Sequence, residues 1–128
     1  MSKQIIQSNK VPAPIGPYSQ AVIANGFLFA SGQIAFDPAT GELVLSSIEA
    51  ETTQVMENIK AILDEANINF EHIVKTSIFL SSMDLFAAVN QVYGSYFSAD
   101  FPARETVAVK TLPRNVNVEI SITAVINL

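Results

Sequence analysis

Between Val116 and Val125 the chain alternates without a break. Val116, Val118, Ile120, Ile122 and Ala124 fall on one face, and Asn117, Glu119, Ser121, Thr123 and Val125 on the other. A period of two, rich in β-branched residues, predicts a strand. Phe101–Val109 alternates in the same way and carries Arg104 near its start. Leu112-Pro113-Arg114-Asn115 separates the two runs and has turn chemistry, so the pair is expected to form a hairpin. Such a hairpin would bring Arg104 and Glu119 close together on one sheet.

The same reading covers the rest of the chain. Lys3–Gln7 reads as a short edge strand. Ser19–Ala24 and Phe27–Ile34 flank Asn25-Gly26, a dipeptide that strongly signals a tight hairpin. Gly32, inside the second of these strands, marks a bulge or a close approach of the backbone to a ligand. Three prolines between Val11 and Pro17 remove donors and fix φ, which predicts a stiff extended loop. That loop delivers Tyr18 and Ser19 either to the wall of a site or to a structural junction with Tyr18 packed on the core. Asp37–Gly41 is a turn.

Ser46 and Glu49 have the spacing of a capping box. Behind them Thr52, Val55, Met56, Ile59, Ile62, Leu63 and Ala66 recur at steps of three and four, predicting an amphipathic helix over Ile48–Ala66. Glu51, Glu57, Lys60 and Asp64 are assigned to its wet face. His72–Leu80 reads as an apolar strand, with His72 at its start as a surface or capping histidine. Ser82 is expected to cap a second helix over about Met83–Phe97. Its aromatic stripe faces the core, and Asn90 lies off that stripe. The order β-β-β-α-β-α-β-β implies a single α+β domain spanning 1–128. It has two layers, a mixed β-sheet with two helices on one face. The other face would carry Arg104, Glu119 and apolar side chains, and a symmetry mate would cover it.

Composition sharpens this picture. Of the 128 residues, 15% are charged and 49% hydrophobic, and mean hydropathy is +0.33. A typical domain is about 25% charged, so this chain has apolar surface to spare and is expected to self-associate. The net charge of −5 argues against a nucleic-acid partner. Without cysteine there is no disulfide, thiol nucleophile or zinc–thiolate centre, and a single histidine excludes a histidine-rich metal site. The first residues hold no long apolar run, so no membrane partner is expected and a cytoplasmic setting is the default. Ser31 lacks a nucleophile-elbow motif and a suitable histidine, which argues against a serine nucleophile.

The chemistry then rests on Arg104 and Glu119. A planar cation that grips a carboxylate, beside a carboxylate base, suits a small organic acid. An ordinary cross-strand ion pair would use the same two residues.

Several short motifs carry a resemblance. They are Pro14-Ile15-Gly16-Pro17-Tyr18-Ser19-Gln20-Ala21, Ser31-Gly32-Gln33-Ile34, Asn58-Ile59, Val89-Asn90-Gln91-Val92-Tyr93, Phe101-Pro102-Ala103-Arg104 and Val118-Glu119-Ile120. In order and spacing the chain resembles the RidA (YjgF) family of imine/enamine deaminases over essentially its whole length. The resemblance implies a chorismate-mutase-like fold that forms a homotrimer, with active sites in clefts between subunits. It implies hydrolysis of 2-imino acids such as 2-aminoacrylate and 2-iminobutyrate to 2-keto acids and ammonia, without metal or cofactor. Arg104 matches the arginine that holds the substrate carboxylate, and Glu119 the glutamate associated with the attacking water. Tyr18, Ser31, Gly32 and Asn90 match positions lining the cleft. Thr106 stands where many members carry cysteine or serine, keeping a hydroxyl but no thiol chemistry. A non-catalytic binder of keto or amino acids, or a chaperone-like protein, is the competing class on the same fold.

Overall fold

The computed structural model describes residues 2–128. Its regular elements are β1 (Gln4–Ile6), β2 (Ala21–Ala24), β3 (Phe27–Gln33), α1 (Ile48–Glu65), β4 (Ile73–Leu80), α2 (Phe86–Gly94), β5 (Ala103–Ala108) and β6 (Val118–Val125). The order of strands and helices is the expected one. The six strands form one mixed sheet in the order β1-β2-β3-β6-β4-β5, and the two helices pack on one of its faces.

The alternation of β6 explains its central place. Val118, Ile120, Ile122 and Ala124 are all buried, and pack with Leu28 of β3, Ile78 and Leu80 of β4, and Val55, Met56, Ile59, Ile62 and Leu63 of α1. Each branched aliphatic side chain taken out of water contributes about 1.5–3 kcal/mol. Asn25 and Gly26 join β2 to β3 with positive φ of 52° and 82°, as a two-residue turn of this hand requires.

The expected hairpin of β5 with β6 does not form. β4 lies between them, parallel to β5 and antiparallel to β6. With one face wholly buried, β6 is best satisfied by partners on both edges and inserts between β3 and β4. β5 follows a helical crossover through α2, the connection a parallel pair needs. Periodicity identifies which residues share a face, not which strand lies alongside.

Both helices start or end differently from expectation. Ser47, not Ser46, caps α1, its Oγ accepting from the Ala50 N–H at 3.0 Å. Ser82 caps as expected, accepting from the Asp84 N–H at 3.1 Å, but what it caps is a 3-10 turn over Met83–Leu85 that precedes α2. The helix then stops at Gly94 rather than Phe97. Ser95 Oγ donates to the Val92 carbonyl at 2.6 Å, competing for the helix backbone. Tyr96 and Phe97 turn back onto Phe70, with ring centroids 5.2 and 5.7 Å apart. His72 is a capping residue, its Nδ1 accepting from the Asn69 N–H at 3.2 Å.

Glu51 departs furthest from its assignment. It is fully buried, and its carboxylate accepts from Asn117 N at 2.8 Å, Asn117 Nδ2 at 2.9 Å and Val118 N at 3.1 Å. It therefore pins the start of β6 from α1. The period that found the core stripe also runs through it: Glu51, Val55, Asn58 and Ile62 fall at steps of three and four.

Candidate functional site

Register decides where the two charged residues point. Arg104 stands opposite Thr76 on β4, and Glu119 opposite Phe79. Thr76 and Phe79 are three residues apart on one strand, so they face opposite ways. Thr76 Oγ1 lies 2.9 Å from the Tyr93 hydroxyl of α2, which places Arg104 on the helix side. Glu119 alone lies on the uncovered face. The cross-strand ion pair is thereby excluded within one chain, and the expectation that both residues share the uncovered face is corrected.

Glu119 sits beside a break in the ladder. Ala30 pairs with Ile122 and Gln33 with Ile120, leaving Ser31 and Gly32 against Ser121 alone. This is a β-bulge. The Glu119 carboxylate packs directly on Gly32, where a Cβ would overlap it. Burial pushes the Glu119 carboxyl above the ordinary carboxylate range. The Ser31 hydroxyl is already engaged, donating to the Ser19 carbonyl at 2.6 Å.

The proline-rich loop forms the other wall. Buried Gln20 holds it, with Oε1 accepting from Ser8 N at 2.7 Å and Nε2 donating to the Ser8 and Pro12 carbonyls at 3.3 and 3.2 Å. Tyr18 is 55% exposed; it lines the cleft rather than packing on the core. Asn58 of α1 donates to the Ile34 and Phe36 carbonyls at 3.1 and 2.8 Å, fixing the chain beyond β3. The resulting cleft of about 670 Å³ is bordered by Pro12, Ile15, Tyr18, Gly32, Arg114 and Glu119, among others.

Arg104 belongs to a different hollow of about 440 Å³, formed with Asn90, Tyr93, Phe101 and Pro102. Its Nη1 donates to Asn90 Oδ1 at 2.6 Å. The guanidinium carbon lies 5.1 Å from the Tyr93 ring centroid and 5.5 Å from that of Phe86. These contacts orient the guanidinium without neutralising it, since it forms no ion pair among the described residues. Burial raises the Tyr93 phenol, partly opposed by the Thr76 hydrogen bond and the Arg104 charge. Thr106, two residues beyond Arg104 on the same face, has a buried Oγ1 without a hydrogen-bond partner.

The structure thus gathers Tyr18, Ser31, Gly32 and Glu119 around one cleft, and Asn90 and Arg104, with Thr106 on the same strand face, around another hollow. Sequence reasoning did not assign Arg114, Phe36 or Gln20 to the site. Arg114 lies in a turn, where no periodicity bears on it. Among the described residues no group of three acidic, histidine or cysteine side chains is placed to hold a metal, and no helix is long and apolar enough to cross a membrane.

Residues 8–126 match the family model described as Endoribonuclease L-PSP. The solved structure of YyfA from Yersinia pestis, a protein of the Rid family, superimposes with a TM-score of 0.94 at 46% identity, covering 97% of this chain and 99% of that one. The chain belongs to the RidA (YjgF) family. A RutC family protein of Synechocystis is 49% identical over 98% of both chains. A goat (Capra hircus) relative named 2-iminobutanoate/2-iminopropanoate deaminase is 43% identical over 96% of this chain and 90% of its own. Against that family background, the Gly32 bulge beneath Glu119 and the Asn90 contact to Arg104 are the features that connect its motifs to geometry.

Proposed function

We propose that this RidA-family chain hydrolyses 2-imino acids, and the enamines in equilibrium with them, to 2-keto acids and ammonia. The observation that carries the reading is a pair of complementary, unfinished half-sites. One holds an oriented guanidinium, the other a carboxylate raised by burial, and they open on opposite faces of the sheet. In the proposed assembly a second copy presents its β5 edge to the Glu119 cleft, so that Arg104 of one subunit meets Glu119 of the next. The proposed assembly is a homotrimer with three such sites; the apolar uncovered face supports self-association, and the name of the goat relative supports the deaminase activity.

In this mechanism Arg104 grips the substrate carboxylate, fixing the plane of the molecule and the position of the C=N carbon. Each charge-assisted hydrogen bond shielded from water contributes about 1.5–3 kcal/mol. Glu119 takes a proton from a water as its oxygen adds to that carbon. The raised carboxyl makes it a better base than an exposed glutamate. Starting from the protonated imine, Glu119 then returns that proton to the amine nitrogen and accepts the hydroxyl proton as the C–N bond breaks, so that the C=O forms and ammonia leaves. Tyr18 and the Ser31-Gly32 bulge shape the cleft, Asn90 orients Arg104, and the Thr106 hydroxyl completes the wall. The energetic demand is modest because positioning a reactive imine and a water removes much of the barrier.

The test is keto-acid release from 2-iminobutyrate and 2-aminoacrylate generated in situ. Arg104→Ala and Glu119→Gln are each expected to lose about 100-fold in kcat/KM. Full activity in Arg104→Ala would rule out the carboxylate clamp. Tight keto-acid binding by the wild type without rate acceleration would instead indicate a binding protein on this fold.

A further inference from the structure

The cleft over Glu119 holds a guanidinium of its own. Arg114 follows Pro113 in the turn that leads into β6 and borders the same cleft as Glu119, Gly32 and Phe36. Its guanidinium carbon lies 5.2 Å from the Phe36 ring centroid. Stacking on an aromatic face fixes the plane of the group and leaves its N–H edge available to an anion.

Arg114 is in neither of the ion pairs among the described residues, which are Lys60–Asp64 and Lys75–Glu105. It stands apart from Glu119, whose carboxyl is perturbed by burial alone. Two opposite charges therefore share one cleft without neutralising each other. The wall around them is largely apolar, with Val11, Pro12, Ile15 and Ile34. The backbone at Arg114 does not select arginine, since its φ of 61° is left-handed, a conformation glycine adopts freely.

We propose that Arg114 is a specificity-determining residue that receives the side-chain carboxylate of dicarboxylic 2-imino acids, the class of 2-iminosuccinate and 2-iminoglutarate. This rests on the reading above, in which Arg104 of a neighbouring copy holds the other carboxylate. The imine carbon lies near Glu119, the methylenes pack on the apolar wall, and the distal carboxylate meets Arg114.

Product analogues test the proposal apart from turnover. Calorimetry on the intact protein compares 2-oxoglutarate with 2-oxobutyrate. The wild type is expected to favour 2-oxoglutarate by about 10-fold, a modest ratio because Arg114 is exposed. The preference should collapse in Arg114→Gln and survive largely in Arg114→Lys. Arg114→Gly suits the left-handed backbone and should also lose the preference, which guards against a folding defect. Equal affinities in the wild type, or an unchanged preference in Arg114→Gln and Arg114→Gly, would overturn the proposal. Selective 2-oxoglutarate binding without hydrolysis of any imine would sink the deaminase reading and leave the anion site standing.

Discussion

Gly32 is the residue on which the position of the Glu119 carboxylate depends. Its missing side chain is what lets the carboxylate settle on the bulge. Gly32→Ala forces the two apart, and activity is expected to fall well below that of a conservative change elsewhere in the cleft. The accompanying stability loss is expected to stay under about 1 kcal/mol, because the overlapping group is the end of a half-buried side chain that can swing away, and thermal melts alongside the imine assay would measure both. Glu119 makes a separate prediction. Its carboxyl is raised in the folded chain, so the folded state binds that proton more tightly than the unfolded state does. Ionised Glu119 therefore destabilises the fold as pH rises through its folded value, and has no such effect at pH below the unfolded value. Glu119→Gln is expected to be more stable than the wild type at pH 7, with the gain vanishing near pH 3. The acidic limb of kcat/KM should likewise lie above the ordinary glutamate range and follow Glu119. An acidic limb at the ordinary value would contradict the burial argument.

The elements were legible to different depths. The faces of β6, α1 and α2 could be read directly, because burial imposes a period on side chains. So could the Asn25-Gly26 turn, where the left-handed backbone restricts residue choice, and the special position of Gly32, where the Glu119 carboxylate leaves no room for a Cβ. The partners of β5 were not legible. Two alternating runs around a turn look like a hairpin whether they pair with each other or leave a strand between them. That difference moved Arg104 to the helix face, so the residues read as one cluster fall in two hollows. Glu51 shows a second limit: a carboxylate on the apolar stripe was assigned to water because of its charge, although its spacing placed it inside. It holds β6, and with it Glu119, through three hydrogen bonds. Glu51→Ala leaves those donors unpaired and is expected to lose about 3 kcal/mol of stability. Urea unfolding would measure it, and a loss under about 0.5 kcal/mol, the range of an ordinary surface substitution, would mean that Glu51 does not anchor the strand.

In the molecule as a whole, low charge and exposed apolar side chains point the same way. Phe27, Phe29 and Val107 on the uncovered face are 39%, 46% and 43% exposed, and Phe79 and Val125 lie among them half-buried. A face of this kind invites a second copy. Phe29→Lys is expected to give a folded protein of lower mass in sedimentation, with imine hydrolysis lost alongside assembly. Full activity from a monomer would contradict the composite site.

Subunit complementation tests that site most directly. Arg104→Ala and Glu119→Gln proteins, each inactive alone, are co-assembled in equal amounts and assayed for keto-acid release from 2-iminobutyrate. If each site takes Arg104 from one subunit and Glu119 from the next, random mixing restores about a quarter of wild-type activity. No recovery from mixed assemblies that have demonstrably formed would contradict the composite site.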